Sequence, residues 1–379
     1  MRRVMALVFH APVGSTMPER IVEEARRAST RGLCALLRAC GVTPIVVTSP
    51  EVARAGVFDV ETRTPMVSAD EPFHFGREVQ RLIVDLGIES FLYFGSGSGG
   101  LLSEAELHDL AEFARTQRGA AVFNNFYSCD FAAFPEAQAL LRFALPAADN
   151  PLGFAVADAG IRCLSMPRSA STQFDIDTPS DVYELARTDR GNPELRRFLR
   201  GRTWDHPSLD SALAVLTDRS ALTVLVGRVN PTTWSQFERE VACRTSALAE
   251  GRGMRAAASR HVPWLRQTIA EGGAAQFFRR LEEAADAAWI DTRPLLPSDE
   301  SLPPPSTRFA SDLFRLDEVD DPVWRNFTEA ALQCRIPVVL GGHSLVSGGL
   351  YLAAEACWKA RNVVRRLHPD PFGGEKERP

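Results

Sequence analysis

Short apolar runs rich in β-branched and aromatic residues alternate along this chain with longer stretches whose apolar residues recur every three to four positions. The runs Val4–His10, Thr43–Ser49, Ser90–Gly95, Ala120–Asn125 and Ile161–Met166 predict strands. Helices are predicted near Glu19–Cys40, Gly76–Leu86, Glu104–Thr116 and Pro135–Phe143. Ser103 stands three residues before Glu106, the spacing of a capping box at a helix start. Strands that alternate with helices need crossover connections, so the pattern predicts an α/β domain with a largely parallel sheet and flanking helices over residues 1–190.

The rhythm breaks in the polar stretch TDRGNPELRRFLRGRTWDHPS and then resumes. Strands are predicted at Ala221–Val229, Thr245–Glu250, Trp289–Thr292 and Ile336–Gly341, giving a second α/β, ligand-binding domain over residues 200–367. The proline-rich stretch Leu296–Thr307 reads as a long loop able to cover a site, and residues 368–379 read as a frayed tail.

Composition narrows the function classes. Of 379 residues, 45% are hydrophobic and 24% charged, as in ordinary globular proteins. No apolar run is long enough to span a bilayer, so no membrane association is expected. The opening MRRVMALVFHAP runs directly into a charged helix and reads as a buried strand rather than a signal peptide. Seven scattered cysteines without a CxxC pair argue against a disulfide framework or zinc site and place the chain in the cytoplasm. A formal net charge of −5 gives no general attraction to nucleic acid.

The most specific string is FDIDTPSDV, Phe174–Val182. In an extended segment Asp175 and Asp177 project to the same side, and Pro179 suits the first turn of a following helix. Two readings stand: the acids serve a ligand, or Asp177 and Thr178 cap the helix. A second string, IESFLYFGSGSGGLLSEAEL (Ile88–Leu107), runs from a strand through a glycine-rich turn into a helix. Its Gly97, Ser98 and Gly99 either offer backbone N–H groups to a phosphate or form a simple turn. In FHAPVGSTMPERI, Gly14, Ser15 and Arg20 are further phosphate candidates. In VFNNFYSCDF, Asn124, Asn125 and Asp130 follow a strand end, where such folds bind ligands or where turn chemistry suffices.

FDIDTPSDV, with Leu101, Leu102, Ser103 and Leu107 of the second string, resembles the nucleotidyltransferase-like domain of the NTP-transferase superfamily, including molybdenum-cofactor and phospholactate nucleotidyltransferases. The resemblance covers about residues 1–190 and implies that an acid of the DIDTP motif helps hold magnesium against nucleotide phosphates. Asp175 and Asp177 are then metal ligands and catalytic residues, with Asp130 as a third acid. Ser98 stands where the family keeps another metal-binding aspartate. The family's phosphate-contacting lysine has no counterpart here, since the only lysines are Lys359 and Lys376. The implied activity is transfer of a nucleotidyl group from an NTP to a phosphorylated small molecule. The alternative is a non-catalytic relative that acts as a scaffold, or binds an anionic ligand through its second domain.

In that second domain, IPVVLGGHSLVSGGLYLAAE places Gly342, His343, Ser344 and Ser347 in a four-glycine loop between a strand and a helix. Such a loop either binds an anion or packs as a tight turn. Arg228 and Arg252 lie at other strand ends and could face it. GGHSLVSGG lacks the GxSxG elbow, which argues against a Ser–His–acid hydrolase.

Overall fold

The computed structural model of the protein describes residues 2–49, 58, 60–65, 73–251, 262–296 and 302–361. The first half carries strands β1 (Val4–Phe9), β2 (Ile45–Thr48), β3 (Glu61–Arg63), β4 (Ser90–Gly95), β5 (Ala120–Phe123), β6 (Phe131–Phe134) and β7 (Arg162–Ser165). Its helices are α1 (Met17–Ala39), α2 (Phe75–Leu86), α3 (Glu104–Thr116), α4 (Leu152–Asp158), α5 (Ala170–Gln173), α6 (Pro179–Leu185) and α7 (Pro193–Arg200). The second half carries α8 (Leu209–Val215), β8 (Leu222–Gly227), α9 (Pro231–Glu240), β9 (Arg244–Ala249), α10 (Trp264–Gly272) and α11 (Ala274–Ala284). It continues through β10 (Ala287–Asp291), α12 (Pro305–Asp312), α13 (Pro322–Leu332) and β11 (Val338–Gly341) to α14 (Gly349–Ala360).

The first sheet has seven strands in the order β3-β2-β1-β4-β6-β5-β7. All pairings are parallel except those of β6, which runs antiparallel to β4 and β5. Period-two alternation sorts its side chains onto two faces. Val4, Ala6, Val8, Leu92 and Phe94 meet α1 and α3, whereas Met5, Leu7, Phe91 and Tyr93 meet α2 and α4. The second sheet, β11-β10-β8-β9, is wholly parallel. The segment expected as helix Pro135–Phe143 forms a 3-10 turn over Ala137–Arg142.

Helix α1 serves both halves. Leu33, Cys34 and Leu37 enter the core under the first sheet. Ile21, Val22 and Ala25 share a second core with α6, α14 and the Trp289 and Val339 side chains of the second sheet. The polar stretch expected to separate the domains carries α7, whose Leu195 and Leu199 are buried in that same core. Asn192 both caps α7 through the Leu195 N–H (3.0 Å) and donates to the Ser29 carbonyl of α1 (2.8 Å).

Candidate functional site

The carboxyl ends of β1, β4 and β5 and the start of antiparallel β6 lie on one edge of the first sheet. There the turn after β4 folds against the FDIDTP segment. The Ile176 N–H donates to the Gly97 carbonyl at 3.1 Å. A Cβ on Gly97 would stand 2.3 Å from Asp175 Oδ1, so only glycine allows this approach. Gly99 supplies a left-handed turn at φ 72°. Ser98 is buried, and its hydroxyl donates to the Gly95 and Asp130 carbonyls at 2.8 and 3.0 Å, which commits it to holding the turn onto β6.

Asp130, Asp149, Asp175 and Asp177 meet at this edge. Burial, the Asp149 charge and the Asp177 charge push the Asp130 carboxyl up to about 7, against the hydrogen bond from Asn124. Burial raises Asp175 well above the ordinary carboxylate range, with Asp177 and Asp130 adding to the shift. Asp149 is raised chiefly by burial, although Tyr93 donates to it at 2.6 Å. Asp175 Oδ1 is buried without a hydrogen-bond partner among the described residues. Asp177 is exposed and pairs with Arg26 at 3.3 Å. Arg26 also donates to the Ile176 carbonyl at 2.7 Å, so it both fixes the motif and lowers the local negative potential. Among the described residues no three His, Cys, Asp or Glu side chains are placed to enclose one metal ion.

The helix-capping alternative separates cleanly from these acids. Thr178 caps α6, and Asp181 completes its capping box by accepting the N–H groups of Asp177 (3.0 Å) and Thr178 (2.6 Å). The side chains of Asp175 and Asp177 take no part in the cap.

The loop from β1 to α1 is less committed. Gly14, Ser15 and Arg20 are exposed, and Arg20 donates to the Ser15 carbonyl at 3.2 Å. Glu19 accepts from the Thr16 N–H at 3.0 Å, so a carboxylate already matches the positive end of α1. Behind it, buried His10 meets Glu23 at 2.9 Å. Asn125 accepts from the Tyr127 N–H at 3.2 Å and shapes a turn. Its neighbour Asn124 is the organiser: it donates to Asp130 Oδ2 (2.8 Å) and accepts the Asp130 and Phe131 N–H groups (2.9 and 3.1 Å).

The glycine loop of the second half lies against this same motif. Asp175 N–H donates to the Ser344 hydroxyl at 3.4 Å. A Cβ on Gly342 would stand 2.8 Å from Thr178 Cγ2, and one on Gly348 would stand 2.1 Å from the Gln173 carbonyl oxygen. Ser344 and Ser347 are buried, so the glycines and serines of this loop serve close packing between the halves. His343 lies near enough to Asp291 to act on it electrostatically. Arg228 forms a two-bond pair with buried Asp291 at 2.5 and 3.1 Å, so its guanidinium is held by a carboxylate of its own sheet. Arg293 does the same with Asp312, at 2.6 Å for both bonds. Arg252 lies outside the described residues.

Sequence reasoning missed Arg26, Asp149 and Tyr93. Arg26 is one arginine among several on an amphipathic helix. Asp149 sits in a loop with no motif around it, and Tyr93 reads as an ordinary strand residue. Their roles arise from convergence of distant segments, which no local spacing reveals.

No family model matches the chain, and no curated protein matches it. Among solved structures it is similar to a cytidylyltransferase from Leptospira borgpetersenii serovar Hardjo-bovis, at 12% identity and a TM-score of 0.38, covering 54% of this chain and 100% of that one. It is also similar to a CMP:2-keto-3-deoxy-manno-octonic acid synthetase complexed with CTP, at 11% identity and a TM-score of 0.35, covering 48% of this chain and 96% of that one. A third is the bifunctional IspDF from Campylobacter jejuni, at 11% identity and a TM-score of 0.31, covering 44% of this chain and 51% of that one. At these identities each is a likeness in fold alone.

Proposed function

We propose that the chain transfers a nucleotidyl group from an NTP to a phosphorylated small-molecule acceptor at the carboxyl edge of its first sheet. The observation that carries this reading is the buried, unpartnered Asp175 Oδ1 within a group of four mutually repelling carboxylates. Buried acids of one sign are costly unless a cation or proton joins them.

Magnesium fits this donor set, because it is commonly held by one or two carboxylates with water and substrate phosphate completing the shell. Asp175 and Asp177 would hold it, with Asp130 beside them. Bound there, it would neutralise charge developing on the phosphates. Arg26 keeps the motif's backbone in place, and Asn124 fixes the Asp130 carboxyl. The glycine turn 95–99 packs closely on the acid motif and fixes its backbone, and most of the rate gain comes from positioning and charge compensation.

Ser98 favours a second reading. Its hydroxyl is used structurally where the resembled family keeps a metal acid, as in a non-catalytic scaffold or binding relative.

Calorimetry of the whole chain with ATP, CTP, GTP and UTP, each with magnesium, tests the metal–nucleotide site that transfer requires. Binding of one NTP that needs magnesium and is lost in Asp175→Asn supports transfer. No binding by the wild-type chain sinks it and leaves the scaffold reading.

A further inference from the structure

A cleft of about 440 Å³ is lined by residues of both halves. The turn before α5 gives it Arg168, the turn after α6 gives Arg190, α9 gives Thr232 and Arg239, and α14 gives Tyr351 and Glu355. That volume suits a small metabolite. The carboxylates on its wall are already engaged, Glu355 by Arg190 Nε at 2.8 Å and Glu240 by Gln236. The terminal nitrogens of Arg190 and the Nε and Nη2 of Arg168 have no hydrogen-bond partner among the described residues. Guanidinium groups present planar pairs of donors that match phosphate or carboxylate oxygens.

We propose that this cleft binds a small molecule carrying two anionic groups, phosphate or carboxylate, and clasps it between Arg168 and Arg190 of the first half and α9 and α14 of the second. A chain of hydrogen bonds leads from the cleft to the acid cluster. Arg168 Nη1 donates to Gln173 Oε1 (3.3 Å), Gln173 Nε2 to the Asn124 carbonyl (3.2 Å), and Asn124 Nδ2 to Asp130 (2.8 Å). An anion that draws Arg168 into the cleft therefore pulls on the residues that set Asp130. The positive cleft and the acidic edge are distinct in charge, so they are separable by experiment.

Inorganic pyrophosphate and citrate are titrated against the whole chain in EDTA, where the acid cluster repels anions. Saturable binding is expected, weakening as salt rises. Arg168→Gln combined with Arg190→Gln should lower the affinity at least about tenfold, a difference well within calorimetric reach. Thr232→Trp, which fills the cleft and removes no charge, should weaken binding as much and guards against a folding artefact. Asp177→Asn should bind as the wild type does. Tighter pyrophosphate marks a phosphate ligand, and tighter citrate a polycarboxylate. Absent saturation, unchanged affinity in both cleft variants, or loss in Asp177→Asn overturns the proposal without touching the magnesium-dependent reading above.

Discussion

Ser180 of α6 donates its hydroxyl to the Leu340 carbonyl of β11 at 2.6 Å, in the buried seam between the two halves. That bond, with the Asp175–Ser344 contact, ties the motif carrying the candidate metal acids into the core shared by the two halves. The second half thus packs directly against the candidate site.

Gly348→Ala tests that packing. The added Cβ would meet main-chain atoms of Gln173 and Phe174 at 2.1 and 2.4 Å, and backbone there has no room to yield. We expect a loss of about 1–3 kcal/mol in urea unfolding, the usual range for overpacking. Any magnesium-dependent nucleotide affinity should fall with it. A variant as stable as wild type means that the seam is looser than described.

Asp177→Asn and Asp181→Ala separate chemistry from capping. Asp177 is exposed and outside the cap, so its amide should change stability by less than about 0.5 kcal/mol. Asp181 accepts two N–H groups at the start of α6, and its removal should cost about 1–2 kcal/mol. Thermal unfolding of both variants checks the order. The reverse order would return Asp177 to a capping role.

Much of this was legible in the chain. Strands Ser90–Gly95 and helix Glu104–Thr116 fall where the periodicity put them, and the Ser103–Glu106 box forms as its spacing implies. The short strand Phe131–Phe134 was not legible: FAAF is apolar on both faces and too brief to show a period. It matters because it reverses direction and brings Asp130 to the edge. Arg228 was ambiguous for a related reason. A strand-end arginine looks the same whether it faces a ligand or a buried aspartate 63 residues away, as Arg228 does.

Arg293→Met should be among the most damaging single changes. It leaves Asp312 buried without its ion-pair partner and removes the guanidinium from over the Trp324 ring, and breaking such a pair by one partner costs about 3–5 kcal/mol. Arg293→Met with Asp312→Leu should recover most of that loss, because two apolar side chains need no counter-charge. Urea unfolding of the single and double variants measures the recovery. Failure to recover would mean that Arg293 also holds the Gly341 carbonyl indispensably.

The acids also set how stability follows pH. Asp130 titrates near 7 and Asp181 near 8 in the folded chain, against 3.8 unfolded, both raised first by burial. A carboxyl whose folded pKa lies above its unfolded one keeps its proton longer when folded. Stability from these groups is therefore full below about pH 4 and declines as pH rises through 7 and 8, by up to about 1.4 kcal/mol per pH unit per group. Glu184 adds to this slope: it is wholly buried, neither oxygen has a partner among the described residues, and burial together with Asp181 raises it strongly. The thermal midpoint should fall between pH 5 and 8, and Glu184→Gln or Asp130→Asn should flatten part of the decline. If magnesium joins Asp175 and Asp177, its stabilising effect should be larger at pH 8 than at pH 6, since protons compete for the same oxygens. A midpoint that rises across this range would show that these carboxyls are ionised and matched by positive charge in the folded protein.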